Sequence, residues 1–194
     1  MNENMKLWDA VEKTNPKYTK SANVRGNKIT AIGPQSQIKC ATEQFGTYGA
    51  AWGWKSFDFH YELLDTTGIV IFKGVFFFPG GEFPISSSIS AYKDGARTKP
   101  DADFAKKVET DALTKALSKL GFNADIFMGL YDDNKYVMEM EKEFREPNPA
   151  LDAVVNAINN NDSEYLSNNW DAVTTVWGIL DAQQQQFINN FNQG

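Results

Sequence analysis

The chain has 194 residues, of which 42% are hydrophobic and 23% are charged, and its formal net charge is −6. This composition is ordinary for a soluble globular protein and excludes a wholly disordered chain. No run of about 18 apolar residues is present, so a transmembrane helix is excluded as well. Because the segment Met1–Trp8 has no apolar secretory core, we expect a cytoplasmic protein with no membrane partner.

Charge is distributed unevenly along the chain. All 19 lysines and arginines lie between Lys6 and Arg145, and the segment Glu146–Gly194 has a net charge of −6 with no base. In contrast, Lys17–Phe57 has six bases against the single acid Glu43, which leaves +5. The partners of each region must therefore be judged from its own charge and not from the whole-chain pI of 4.9.

Two prolines mark a boundary at the point where the bases stop. Pro147 and Pro149 predict a linker, and hence a core domain over residues 1–145 and an acidic helical tail over residues 146–194. Apolar residues of the tail recur at helical spacing, which predicts two or three short helices. Two interpretations of the tail stay open: a helical appendage docked on the core, or a partner-binding tail on a flexible linker.

Helix and strand patterns follow one another along the core. Alternation at period two predicts a strand over residues 54–64, and the β-branched and aromatic run 68–79 predicts a central strand covered on both faces. Pro79-Gly80-Gly81 predicts the turn into a third strand over residues 83–92. The other predicted elements are helices over about residues 3–13, 34–45, 102–120 and 134–144 and a β-hairpin tip over residues 23–28.

These elements predict the α+β fold class. We expect a helix and a β-hairpin, then a three-stranded antiparallel β-meander packed on a long helix, in the order β-β-α-β-β-β-α, with a small C-terminal helical region. Gly46 and Gly121 are expected to end the two main helices. Asp101 is the expected N-cap of the long helix.

Residues for nucleophilic, nucleotide or metal chemistry are scarce. The chain has one histidine, His60, and one cysteine, Cys40, which are too few for a structural zinc site or for most catalytic triads. No GxxxxGK[ST] motif and no glycine-rich loop before a helix is present. Asp58, Glu62 and Asp65 are spaced too loosely to indicate a nuclease. We therefore expect a protein that is not an enzyme and that uses no cofactor.

The remaining signal is typical of binding to single-stranded nucleic acid. Bases neutralise phosphates and aromatic rings stack on nucleobases, and the chain has both in succession. The alternative is that the aromatic residues form the core and the lysines only solubilise the chain. The basic stretch is Lys17–Lys39, and the aromatic residues are Tyr18, Phe45, Tyr48, Trp52 and Trp54.

Two motifs carry a resemblance to a known family. The run Ile38–Gly46, followed by Tyr48-Gly49 and Trp52-Gly53-Trp54, is similar to the segment A-N-E-x-F-G-x-x-G-W of the annealing domain of the eukaryotic recombination protein Rad-fifty-two. The run Lys106–Gly121 is similar to that family's helix K-x-A-V-T-D-G-L-K-R-A-L-x-x-F-G, and Asp133-Lys135-Tyr136 is similar to the segment after it. The motifs occur in the family's order.

The chain therefore resembles a single-strand annealing protein of the Rad-fifty-two-like superfamily over about residues 26–137. Its compact length and its segment Lys28–Ile32 resemble the phage recombinases of the Sak and Erf type more than the eukaryotic protein. The resemblance implies ATP-independent binding of single-stranded DNA and annealing of complementary strands in homologous recombination and repair. It also implies a homo-oligomeric ring, acting in the bacterial host cytoplasm if the protein is phage-encoded.

The resemblance also indicates DNA-binding positions. Lys106 and Lys115 match basic positions of the family's long helix, whereas Ser36 stands where the family has an arginine. Lys39, or Arg25 and Lys28 of the hairpin, are expected to replace that arginine. The predicted DNA-binding residues are Arg25, Lys28, Lys39, Lys55, Lys106, Lys107 and Lys115.

Several alternatives stay open at this point. A non-annealing single-stranded DNA-binding protein shares the charges and aromatics, and a structural or interaction protein can share the fold. On the long helix, Lys107, Asp111 and Lys115 are spaced either for solvated ion pairs or for a DNA-facing row. The tail 146–194 is expected either to contact a host or phage single-strand-binding protein or to compete with DNA for the basic groove.

Overall fold

A computed structural model of the chain describes residues 2–24 and 26–191. The chain divides into two compact units, Met1–Phe144 and Arg145–Gly194, each with its own hydrophobic core. Helices and antiparallel sheets occur together, so the predicted α+β class is confirmed. The division falls one residue before the boundary that the prolines predict.

The described residues of the first unit form two antiparallel sheets. Strands β1 (Thr19–Val24) and β2 (Asn27–Ile32) form a hairpin, and strands β3 (Gly53–His60), β4 (Ile69–Phe78) and β5 (Gly81–Ser90) form a sheet in the order β3-β4-β5. Its α-helices are α1 (Lys6–Val11), α2 (Pro34–Phe45), α3 (Leu64–Thr67), α4 (Phe104–Ser118), α5 (Ala124–Phe127) and α6 (Asn134–Glu143). Single 3-10 turns cover Glu3–Met5, Pro16–Tyr18 and Leu130–Asp132.

Helix α2 begins and ends where its sequence predicts. Pro34 lies in the first turn, where an N–H group has no intrahelical partner in any residue type. Gly46 ends the helix at a φ of 97°, which side chains disfavour. In contrast, α4 is preceded by Asp103 as its N-cap, so the prediction that Asp101 caps this helix is wrong. Asp101 lies two residues earlier, where its carboxylate accepts the Asp103 N–H at 3.2 Å and a hydrogen bond from the Lys107 side chain at 2.6 Å.

Strand β4 lies at the centre of its sheet, and burial alternates along it. Phe72 and Phe76 are buried, whereas Lys73 between them is exposed and Ile71 and Val75 are only half-buried. The prediction that this strand is covered on both faces is therefore wrong. A lysine at the middle of the strand is compatible only with a face that water reaches.

Buried residues of α4 and of this sheet belong to one hydrophobic core. Ala112 and Ala116 of α4 are fully buried, and their small side chains let a helix approach its neighbours closely. The largest fully buried side chains of this core are the aromatic residues Trp52, Phe72, Phe76 and Phe122. The buried members of this core are Val11, Ala41, Trp52, Phe72, Phe76, Ile85, Val108, Ala112, Leu113, Ala116, Leu117 and Phe122.

A buried polar network joins the segment after α1 to α5 and α6. The carboxylate of Asp125, which is 1% exposed, accepts hydrogen bonds from the Thr14 N–H at 2.7 Å, the Thr14 hydroxyl at 2.5 Å and the Tyr136 hydroxyl at 3.0 Å. The Asn123 amide donates to the Thr14 hydroxyl, and the Tyr131 hydroxyl donates to the Thr14 carbonyl. Burial raises the pKa of Tyr131 and of Tyr136, so both act as neutral donors.

The second unit is helical throughout its described part. The side chains of Asn148 and Asp162 accept the N–H groups of Leu151 and Tyr165 and so cap two of its helices. Among the described residues of either unit, no helix is long and apolar enough to cross a bilayer. The helices of the second unit are α7 (Pro149–Asn159), α8 (Ser163–Asn168), α9 (Trp170–Val176) and α10 (Ala182–Phe191), with a 3-10 turn at Trp177–Ile179.

Candidate nucleic-acid interface

A groove of about 290 Å³ lies between the hairpin β1–β2 and the 3-10 turn Leu130–Asp132. The hairpin register pairs Ser21 with Thr30 and Asn23 with Lys28, which places the two hydroxyls and the Lys28 ammonium group on one face, whereas Lys20, paired with Ala31, projects from the other. These groups are common donors to phosphate oxygens, although one carboxylate also lines the groove. The lining residues are Thr19, Lys20, Ser21, Lys28, Ile29, Thr30, Tyr131 and Asp132.

The lysines of this groove are exposed, and Asp132 is the carboxylate that lines the groove with them. Lys20 and Lys28 are exposed, and neither forms an ion pair with a residue in the described part of the chain. Beside them, the Lys17 Nζ lies 5.4 Å from the centroid of the Tyr18 ring, within the range of a cation–π contact. The hairpin therefore presents positive charge that a phosphate can neutralise.

Four of the other predicted DNA-binding lysines each contact a carboxylate. A carboxylate this close cancels much of the local positive potential that a phosphate would meet. Each of these four lysines is therefore in an ion pair, and the partner of Lys107 is the buried Asp101. The pairs are Lys39–Glu43 at 3.8 Å, Lys55–Glu82 at 2.7 Å, Lys107–Asp101 at 2.6 Å and Lys115–Asp111 at 2.9 Å.

The charged row of α4 is joined to strand β5. Asp111 accepts a hydrogen bond from the Ser87 hydroxyl, and the Lys115 Nζ donates to the same hydroxyl oxygen at 2.9 Å. Lys107 contacts Asp101 and not Asp111. The row therefore contains one i,i+4 ion pair, held against the sheet, and one ion pair with the loop before the helix.

Replacement of Lys107 by alanine is expected to raise the pKa of Asp101. The hydrogen bond from the Lys107 side chain is the largest cause that lowers the pKa of this carboxyl below its usual value. A lowered pKa contributes stability above about pH 4, and this contribution disappears as the pH falls through the lowered value. In the variant we expect a weaker loss of stability in that acid range, and an NMR titration of the Asp101 carboxyl measures the shift directly.

Lys106 provides the matched control for this titration. Its side chain is exposed beside Lys107, and it has no ion pair among the described residues. Lys106→Ala should therefore leave the pKa of Asp101 where it is. Equal shifts in the two variants would show that the general loss of positive charge is responsible and not the hydrogen bond.

The remaining predicted positions lie apart from the groove or outside the residues that the structure describes. Arg25 lies outside the described residues. Ser36, at the position of the family's arginine, donates its hydroxyl to the Gly33 carbonyl at 2.7 Å and closes the first turn of α2. Of the predicted residues that the structure describes, Lys28 alone lines the groove.

Several of the aromatic residues considered for base stacking belong to the core. Trp52 is 0% exposed, and its indole N–H donates to a backbone carbonyl at 2.9 Å. The Trp54 ring lies 5.0 Å from the Phe72 ring between centroids. Tyr48 is exposed but packs edge-on against Trp52. The interpretation of Trp52 and Trp54 as core residues is therefore the one that the structure supports.

Most residues of the groove, Lys20 and Tyr131 among them, are absent from the predicted DNA-binding set. Lys20 belongs to the basic stretch, but the predicted hairpin tip over residues 23–28 does not extend to the whole of β1, so the pairing of Lys20 with β2 is missed. The alternation of small polar residues at 19, 21 and 23 is the signal that indicates this strand. Nothing in the local sequence places Tyr131 beside the hairpin.

Metal-ligating and thiol groups are not gathered into a site. In the ranges 2–24 and 26–191, no group of three or more histidine, cysteine, aspartate and glutamate side chains is placed to hold a metal ion. Burial raises the pKa of the Cys40 thiol, which favours its protonated, less nucleophilic form. The His60 Nδ1 lies 3.1 Å from the Glu62 carboxylate at the end of β3.

Comparison of the sequence with protein-family models and with curated proteins gives no match. The resemblance to the Rad-fifty-two-like superfamily thus rests on the residues of the two motifs and on their order. A function for the chain therefore has to be inferred from these motifs and from the groove.

Proposed function

We propose that the chain binds single-stranded DNA and anneals complementary strands without ATP, as the phage recombinases of the Sak and Erf type do. The observation that carries this proposal is the hairpin groove, where Lys28 shares a face with the Ser21 and Thr30 hydroxyls and Lys20 lines the groove from the other face of β1. Neither lysine forms an ion pair among the described residues, although Asp132 also lines the groove. The groove supplies contacts to phosphates, which bind a strand whatever its sequence.

Contacts to phosphates are the feature of the groove that suits annealing. Proteins that only coat single strands stack bases on exposed aromatic rings. Of the aromatic residues considered for stacking, Trp52 and Trp54 belong to the core, whereas Tyr18 and Tyr48 are exposed. A strand held through its phosphates keeps its base edges free to pair with a second strand. The free energy of annealing then comes from base pairing, and no nucleotide hydrolysis is needed.

The order of elements agrees with an annealing core. From β1 to α4 the main elements succeed one another as two strands, a helix, three strands and a helix, with the single turn α3 between β3 and β4. We propose that this segment is the β-β-α-β-β-β-α annealing core, with the β3-β4-β5 meander packed on α4. The predicted domain of residues 1–145 then contains this core.

Exposed apolar side chains support assembly into a ring. A ring forms when one surface of a protomer contacts a different surface of the next, and large exposed apolar residues mark such surfaces. Among the described residues of the first unit, the exposed large apolar side chains include two sets on different elements. One set lies at the end of α5 and after it and consists of Phe127, Met128 and Leu130, and the other lies on and after β3 and consists of Phe57, Tyr61 and Leu63.

The test is annealing of two complementary labelled oligonucleotides with and without the protein, in the absence of ATP and magnesium. We expect strong acceleration that fades as salt is added. In the double variant Lys20→Ala/Lys28→Ala, we expect slower annealing and weaker binding. The slope of log affinity against log salt should become shallower by about 0.7 for each lysine–phosphate interaction that the substitutions remove.

The control variant removes the same charge from other exposed positions of the first unit. Lys73 of β4 and Lys142 of α6 are exposed and have no ion pair among the described residues, so Lys73→Ala/Lys142→Ala reports the effect of net charge alone. Tight binding without acceleration would assign the chain to the non-annealing single-strand binders. Absence of binding would refute the nucleic-acid function altogether.

A further inference from the structure

The second unit has a groove of about 400 Å³ between α9 and α10. Trp170, Thr174 and Trp177 line one side at the spacing i, i+4 and i+7, which places them on one helical face. Asn189 of α10 lines the other side. Both tryptophans are half-buried, so their rings pack on the core of the unit and still present apolar surface to the groove.

The two walls of this groove are joined by hydrogen bonds. The Gln185 side-chain amide on α10 donates to the Trp177 carbonyl at 2.8 Å and to the Leu180 carbonyl at 3.2 Å. Gln185 precedes Asn189 by one helical turn, so the donor and the lining residue share a face of α10. A groove held in this way exists before a ligand arrives, which lowers the entropic cost of binding.

The charge of the unit selects the kind of partner. The segment Arg145–Gly194 has six acids against Arg145 alone, which leaves −5, and that arginine pairs with Asp152 at 3.2 Å. Beside the groove, Asp171 follows Trp170 and is exposed, and Ile179 is 55% exposed. Such a surface repels phosphates and attracts lysine and arginine side chains.

We propose that this groove receives an amphipathic helix of a partner protein, with one apolar face and with lysine or arginine along its flanks. The apolar side chains enter between Trp170 and Trp177, and the flanking cations meet the carboxylates of the unit. A common mode of peptide recognition places the apolar face of an amphipathic helix in a hydrophobic groove, with the anchoring side chains of the bound helix three, four and seven residues apart. The proposal does not depend on DNA binding by the first unit.

The test uses the full chain and a labelled amphipathic peptide of lysine and leucine, about 14 residues long, with fluorescence anisotropy as the readout. Thr174 and Thr175 give a matched pair of variants, because both are exposed and both hydroxyls donate to the Asp171 carbonyl. Thr174 lines the groove and Thr175 does not. We expect Thr174→Arg to weaken peptide binding at least about tenfold and Thr175→Arg to weaken it far less.

Other outcomes would overturn the proposal. Equal affinities in the two variants would place the peptide elsewhere, and failure of the peptide to bind the unaltered chain would remove the groove as a helix site. Equally tight binding of an isomeric peptide with glutamate for lysine would refute the role of charge. A change in oligomer size in Thr174→Arg, with peptide binding unchanged, would assign the groove to a second copy of this chain.

The DNA-related readouts separate this proposal from the proposed function. Thr174→Arg should anneal oligonucleotides as the unaltered chain does, and Lys20→Ala/Lys28→Ala should bind the peptide normally. Failure of the helix-binding proposal would therefore appear in the peptide measurements, and failure of the proposed function would appear in the annealing and DNA-binding measurements.

Discussion

Replacement of Asp125 by alanine is expected to destabilise the first unit by about 3–5 kcal/mol. Its carboxylate accepts both donors of Thr14 and the hydroxyl of Tyr136 at a position that is 1% exposed. Removal of the acceptor leaves the two buried donors of Thr14 and the half-buried Tyr136 hydroxyl without this partner, and a buried donor without a partner costs about 1–3 kcal/mol. The network also fixes the segment after α1 to α5, so the loss should extend to both.

Amide hydrogen exchange measures this effect with an internal reference. The exchange of the first unit should accelerate strongly, while that of the second unit, which has its own core, should change little. Tyr136→Phe is the graded control, because it removes one donor and should cost about 1 kcal/mol. A smaller effect for Asp125→Ala than for Tyr136→Phe would contradict the assignment of the carboxylate as the centre of the network.

Replacement of Trp52 by alanine should also destabilise the first unit by about 3–5 kcal/mol, as removal of a large buried aromatic residue does. The ring is 0% exposed, contacts Phe45 and Phe76, and donates its N–H to the Gly46 carbonyl. The variant loses the ring contacts with Phe45 and Phe76 and the hydrogen bond to Gly46 together. Urea denaturation of the variant, together with amide hydrogen exchange of the first unit, measures the decrease in the free energy of unfolding.

The same variant separates a core role from a DNA-stacking role for Trp52. We expect the affinity of the folded fraction for single-stranded DNA to stay unchanged under stabilising conditions. Tyr48→Ala is the control, because its ring touches Trp52 but is 42% exposed, so it should destabilise the unit much less. Full stability with abolished DNA binding in Trp52→Ala would show that the ring stacks on bases after all.

The fold was predictable where local chemistry decides the structure. Pro34 and Gly46 set the limits of α2 because one lacks an N–H and the other adopts a positive φ. The centre of the β3-β4-β5 sheet followed from a run of β-branched and aromatic residues. The open face at Lys73 could not be predicted in the same way, because an apolar run does not indicate which face of a strand meets water.

The candidate interface was harder to predict because ion pairing is a tertiary property. Lys55 and Glu82 are far apart in sequence and meet only through the pairing of β3, β4 and β5. Lys28 and Lys20 carry the same formal charge as Lys55 but have no carboxylate partner among the described residues. The composition of the sequence does not distinguish these three lysines, and only strand pairing determines which of them meets a carboxylate.

The uneven distribution of bases has a practical consequence for handling the molecule. Because Arg145 is the last lysine or arginine in the sequence, trypsin has no cleavage site within the segment that follows it. Amine-reactive dyes and cross-linkers likewise find their lysines only in the first unit. The acidic helical unit can therefore be separated whole from the full chain, while the chemistry of lysine modification reports on the first unit alone.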